Sequence, residues 1–193
     1  MKLSSLIKNK LKKLAEKEFI CRQEKLIGKE IVFYGVRTCE IRKIVKEYFR
    51  RFSKEVDWLK VTEELLSTGV FENQMAGIFL LANSYCAGEK ITLIEIKELI
   101  TKYINNWAAA DTISSEVVVK LAQESPEEMG FLFDWASSKN IWLKRVALVT
   151  LIKLKNKIED WWEIAFYMLS FLKKEKEPIL KKAMRWLQKE VSK

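Results

Sequence analysis

The chain has 193 residues, of which 49% are hydrophobic and 32% charged, and its formal net charge is +9. That length matches the ~100 to 200 residues of an ordinary domain, so residues 1–193 are expected to form a single domain, and the apolar fraction excludes a disordered chain. Histidine is absent, which removes Ser-His-Asp and Cys-His nucleophilic pairs, HExxH zinc helices and every imidazole acid–base scheme. Catalysis must rest on carboxylates, amines, hydroxyls or thiols. Cys21, Cys39 and Cys86 form no CxxC pair; they read as buried, reduced thiols of a cytosolic protein, with no metal site expected.

Residues 1–10 turn charged again before the apolar core of a secretory signal can form, and the longest apolar stretches, such as 77–82, fall far short of the ~20 residues that cross a bilayer. No signal and no membrane span are expected, and the protein is assigned to the cytoplasm. Two prolines and six glycines are too few for the turns of a many-stranded sheet, while Leu, Lys, Glu, Ile and Ala dominate between them. From Thr38 the apolar positions Ile41, Ile44, Val45, Tyr48, Phe49 and Phe52 follow helical spacing and form one continuous stripe. Gly69 after Leu65 and Leu66, and Gly88 after Ala82 and Cys86, mark helix stops. Thr92 with Glu95 spells a capping box ahead of Ile96, Leu99, Ile100 and Tyr103; Ser125 with Glu128 repeats it, with Pro126 at the first helical position. Asn140 caps a further helix, and Pro178 opens a last one through Leu180, Ala183, Leu187 and Val191. About ten helices of ~10 to 18 residues result, with no period-2 strand. Stacked as helical pairs in repeats of ~40 to 47 residues, they predict an all-α fold, a HEAT/ARM-like α-α superhelix forming a curved solenoid.

Charge is unevenly spread. Residues 1–54 carry 16 cations and 6 anions (+10), residues 55–138 carry 5 and 14 (−9), and residues 139–193 carry 14 and 6 (+8). Two basic ends around an acidic middle would let a curved solenoid grip a polyanion, because each phosphate contact releases counterions. Arg22, Arg37, Arg42, Arg50 and Arg51 all lie in the first basic third and the middle third has no arginine, and arginine is the better phosphate fork. Nucleic acid is the leading partner, against the plainer reading of lysine-rich helix faces that are simply solvated.

No P-loop and no GxGxxG occur, so no nucleotide cofactor is expected. In the segment 105–112, Asn-Asn-Trp-Ala-Ala-Ala-Asp-Thr, Trp107 and Asp111 are four apart and share a helical face. An indole face beside a carboxylate suits a cationic ligand or a developing oxocarbenium ion. The alternative for Asp111 is an N-cap of a helix over 112–122. Arg145 lies on an otherwise apolar helix and needs a partner, for which an internal salt bridge is one reading.

Four ordered segments carry a family likeness: Gly35-Val-Arg-Thr38-Cys-Glu-Ile-Arg42, Trp107-x-x-x-Asp111, Ser-Ser-Lys-Asn-Ile-Trp-Leu-Lys-Arg145-Val-Ala-Leu, and Lys182-Ala-Met-Arg-Trp186. Together they resemble the AlkD-type DNA alkylation repair glycosylases over roughly residues 30–190. The resemblance implies a HEAT-like solenoid holding duplex DNA on its concave face, and hydrolysis of the N-glycosidic bond of cationic N3- and N7-alkylpurines without flipping the base into a pocket. By position, Asp111 would be the catalytic carboxylate, Trp107 and Trp186 the aromatic walls at the lesion, and Arg145 the backbone-gripping cation. Thr38, Arg42, Lys153 and Lys189 fall where the family contacts phosphates. No cofactor and no metal are implied, and a monomer acting on double-stranded DNA with alkylated bases is expected. An alkylated purine already bears positive charge and leaves without a general acid, so the missing histidine is no obstacle. The sequence departs from the family pattern at Ala108, where relatives often carry a second carboxylate. The competing reading is a non-catalytic helical-repeat module that binds branched DNA or a protein.

Overall fold

The computed structural model describes residues 2–52, 56–125 and 129–193, and among these the only β-type pairing is an isolated parallel bridge between Val32 and Val70. Everything else regular is helix. Twelve α-helices are present among the described residues, with one π-helical turn between the seventh and eighth; the fold is all-α, as the sparse glycine and proline predict. No described helix is long and apolar enough to cross a membrane. The chain forms two compact units, Met1–Ala109 and Ala110–Lys193.

The first unit contains α1 (Leu3–Lys13), α2 (Lys17–Leu26), α3 (Thr38–Arg51), α4 (Trp58–Leu66), α5 (Phe71–Cys86), α6 (Leu93–Tyr103) and the start of α7 (Trp107–Ile113). Its centre is α5, buried from Phe71 through Ala82, as a helix apolar on nearly every side must be. Helices α3 and α4 pack against it and α1 packs on all three. The α3 stripe falls as spaced: Ile41, Ile44 and Val45 are buried, and Tyr48, Phe49 and Phe52 pack partly buried against the core. Gly77 permits the α4–α5 approach, since an added Cβ would lie 3.2 Å from the Thr62 carbonyl oxygen. The Thr92–Glu95 capping box forms in full at the start of α6, and Gly69 and Gly88 follow α4 and α5 with positive φ of 68° and 95°.

The second unit repeats the plan. It holds the rest of α7, the π turn Ser114–Val118, α8 (Val119–Glu124), α9 (Phe131–Ser137), α10 (Ile141–Lys153), α11 (Trp161–Phe171) and α12 (Pro178–Val191). Here α10 is the enclosed helix, buried from Arg145 through Ile152 and covered by α9, α11, α12 and the π turn. Asn140 caps it, accepting the N–H groups of Trp142 and Leu143 at 2.9 and 3.1 Å. Pro178 opens α12. The ion pairs Lys144–Glu175 (2.6 Å) and Lys155–Glu190 (3.4 Å) fasten α10 and the turn after it to the segment before α12 and to the end of α12.

Two expectations fare differently. The thiols of Cys21, Cys39 and Cys86 are all exposed, because each falls off the apolar stripe of its helix; the buried reading is corrected. The Ser125–Glu128 box with Pro126 rests on residues 126 and 128, which lie outside the described residues.

Candidate active site

Asp111 lies inside α7, one turn after Trp107 opens that helix. The alternative of Asp111 as an N-cap is thereby overturned: the helix has already begun, and its cap is Asn106, whose Oδ1 accepts the Ala109 N–H at 2.9 Å. Asn106 is itself held, donating to Gln74 Oε1 (2.9 Å), and Gln74 donates to the Tyr103 carbonyl (2.8 Å). A buried amide chain within the first unit therefore fixes where α7 starts. In the second unit the π turn begins three residues after Asp111, its Ser115 hydroxyl donating to the Asp111 carbonyl at 2.9 Å. Ser114 donates to the Ala110 carbonyl (2.8 Å) and to the Val146 carbonyl of α10 (3.3 Å). Such bulges within a helix recur at functional sites, where one extra residue re-aims a side chain.

The carboxylate of Asp111 meets Arg145. Nε donates to Oδ1 and Nη2 to Oδ2, each at 2.7 Å, and Nη1 donates to the Ile179 carbonyl at 2.8 Å. This is the fork geometry in which arginine binds a carboxylate most strongly. The Arg145 side chain is 7% exposed and that of Asp111 22%, so the cation is enclosed while the carboxylate keeps an open edge. The salt-bridge reading of Arg145 is the one observed. Its guanidinium is directed at Asp111 and the Ile179 carbonyl, which gives Arg145 a part in orienting that carboxylate. Burial pushes the Asp111 carboxyl above its ordinary range, while the Arg145 hydrogen bond and the Arg145 and Lys153 charges pull the other way.

Lys153 and Trp186 are also brought together, the ammonium 5.1 Å from the indole centroid, within cation–π range. Lys153 is exposed at the end of α10, Trp186 is half-buried on α12, and Lys189 is exposed in the last turn of α12. In the first unit, Thr38 is the exposed first residue of α3 and Arg42 follows one turn later, its guanidinium 3.9 Å from the Phe79 ring centroid. Trp107 is half-buried.

Sequence reasoning missed Glu72. This fully buried residue of α5 accepts the backbone N–H groups of Tyr34 (2.8 Å), Gly35 (2.9 Å) and Val36 (3.1 Å). It holds the segment leading into Thr38 and α3. Gly35 is required there, with φ of 84° and an added Cβ only 2.3 Å from the Glu16 carbonyl oxygen. The only sequence signal was the polar run Glu72-Asn73-Gln74 at the start of an otherwise apolar helix.

The second unit thus presents a carboxylate locked in orientation, partly open, with cationic and aromatic side chains on neighbouring helices. Such a group can stabilise a nearby cation electrostatically without taking or giving a proton. The sequence model of the DNA alkylation repair enzyme family matches residues 7–193, and the chain belongs to that family. It is therefore a DNA-repair enzyme, and its substrate is DNA. No curated protein matches the chain.

Proposed function

We propose that the protein is a DNA glycosylase that hydrolyses the N-glycosidic bond of cationic N3- and N7-alkylpurines, of the 3-methyladenine and 7-methylguanine type, in duplex DNA. The observation that carries this reading is the Asp111 carboxylate, forked by Arg145 at 2.7 Å on both oxygens and open along one edge. The alkylated base is its own leaving group: the C1′–N bond breaks with its electron pair going to the base, which becomes neutral. Positive charge then develops on the sugar, and Asp111 stabilises it. Water adds at C1′, its proton passing to solvent, and free base and an abasic site are the products. Arg145 is a positioning residue in this scheme, holding the carboxylate so that no reorganisation is needed as charge develops.

The remaining assignments follow the family resemblance. Trp107 and Trp186 flank the lesion as aromatic walls, Thr38, Arg42, Lys153 and Lys189 contact phosphates, and a HEAT-like solenoid holds the duplex without a base-flipping pocket. One chain acts on one duplex, in the cytoplasm with the chromosomal DNA, and no cofactor enters the chemistry. The exposure of Thr38, Arg42, Lys153 and Lys189 supports the phosphate role.

The test is incubation of the protein with methylated duplex DNA and identification of what is released. Free 7-methylguanine and 3-methyladenine with matching abasic sites are expected. Binding to undamaged duplex should weaken steeply between ~50 and ~200 mM salt, as phosphate-dominated binding does. Retained DNA binding with no base release would instead support the non-catalytic module.

A further inference from the structure

Helices α10 and α12 pack side by side within the second unit. Early in both, Arg145 of α10 donates to the Ile179 carbonyl of α12 at 2.8 Å while forking Asp111. About two turns further along each helix, the Lys153 ammonium lies over the Trp186 indole, 5.1 Å from its centroid. Asp111 and Trp186 thus sit along one seam, with the charge of Lys153 beside the indole.

That ammonium has a choice of resting places, since Lys153 is exposed in the last turn of α10 and its stem is flexible. Lys155, two residues on, takes the carboxylate of Glu190 as its partner. Lys153 takes an indole face instead. Its charge also reaches the Asp111 carboxyl and favours the ionised form. A cation between the quadrupole of an indole and a full negative charge occupies the surroundings that suit a cationic purine. In the free protein the cation at Trp186 is the protein's own.

We propose that Lys153 is a specificity-determining residue: its ammonium holds the cation site at Trp186 in the free protein, and a cationic alkylpurine takes its place while the lysine swings to a phosphate. This rests on the glycosylase reading, in which Trp186 flanks the lesion and Lys153 contacts the backbone. A neutral base brings no charge to exchange and leaves the ammonium where it is. A cationic base displaces it, because two like charges cannot share one indole face. The exchange gives up one cation–π contact and makes another, and the freed ammonium gains a phosphate. One flexible side chain therefore couples recognition of the lesion's charge to the grip on the backbone.

The test is equilibrium binding of the full chain to two duplexes that differ only in charge at one base. One carries 7-methylguanine and the other its neutral isostere 7-methyl-7-deazaguanine, both on 2′-fluoro sugars so that no base is released. The ratio of the two affinities reads the lesion's charge. Lys153→Met should raise the preference for the cationic duplex about three- to tenfold, as expected when a cation–π contact no longer has to be given up. It should also weaken both duplexes through the lost phosphate contact and lower the salt slope by about one. In a Trp186→Leu background the same change should move the ratio by less than about twofold, because the shared partner is gone. An unchanged ratio, with both duplexes weakened alike, would make Lys153 a phosphate contact alone and overturn the proposal. A rise as large without Trp186 would trace to repulsion at a distance and overturn it as well. Either result with base release by the parent protein intact leaves the glycosylase reading standing. A parent that releases no base and binds the two duplexes equally would remove that reading, and the proposal with it.

Discussion

Each unit contains a carboxylate drawn out of water, and the two are satisfied in opposite ways. In the first unit Glu72 is fully enclosed and accepts three backbone N–H groups from residues 34–36. In the second, Asp111 keeps 22% of its side chain open and is held by a single arginine fork. Backbone donors are fixed in number and place, so Glu72 does one thing, tying α5 to the entry of α3. Asp111 faces outward along its open edge, and its partner is a side chain with its own anchor on the Ile179 carbonyl. A sealed carboxylate supports structure; an oriented and accessible one is available for chemistry. The difference lies in what remains open after the hydrogen bonds are made.

The sharpest way to break the comparison is at Glu72. Glu72→Ala leaves two buried N–H groups and a part-buried one without their acceptor, and a cavity besides; at ~1–3 kcal/mol for each orphaned buried group the loss should be about 4 kcal/mol or more, a large share of a typical folding margin. Thermal unfolding should show a melting temperature lower by at least ~8 °C. A shift under ~2 °C would mean that the entry to α3 does not depend on this residue.

Arg145→Ala should be the next largest, removing one partner of an enclosed ion pair at a cost of about 3 kcal/mol. The comparison adds a second readout. If Arg145 positions Asp111, the rate of base release at saturating DNA falls while affinity for undamaged duplex changes little. If it grips phosphate, affinity falls first. With Asp111→Asn added, the stability losses should sum to clearly more than the double variant shows, because both disrupt one interaction.

The smallest effect is a pH shift. If Asp111 acts as a charged carboxylate in base release, the rate is lost as pH falls through its raised pKa, and the acid limb should lie above the ~4 of an ordinary aspartate. Lys153 pulls that pKa down, so Lys153→Met should move the acid limb further up. The stability sign is opposite to that of most carboxylates. A folded-state pKa above the unfolded one means the native protein holds this proton more tightly, so Asp111 ionisation lowers stability as pH rises from ~4 through the folded value.

Much of the architecture was legible in local pattern. The α3 stripe, the Thr92 box, the Asn140 cap and the Pro178 start depend on residues within one or two turns of each other, and all form. The candidate site was legible in part: a lone cation on the apolar α10 must find an anion, yet only the fold reveals that Arg145 chooses Asp111, 34 residues away. Asp111 resembled a cap because Asp caps helices well; the competing cap at Asn106 depends on Gln74, 32 residues distant. Glu72 was illegible for the same reason, its donors lying 36 to 38 residues back. The thiols misled because cysteine's usual burial says nothing about which side of a given helix faces out.

The most direct measurement of the central claim is single-turnover release of 7-methylguanine from one methylated duplex by the parent protein and by Asp111→Asn, at a temperature where both are folded. Asparagine keeps the size and one acceptor but not the charge, so a charge-stabilised sugar cation predicts a rate lower by about 10² to 10³ or more with duplex affinity retained. Release by Asp111→Asn at the parent rate would contradict the assignment of Asp111 as the catalytic carboxylate.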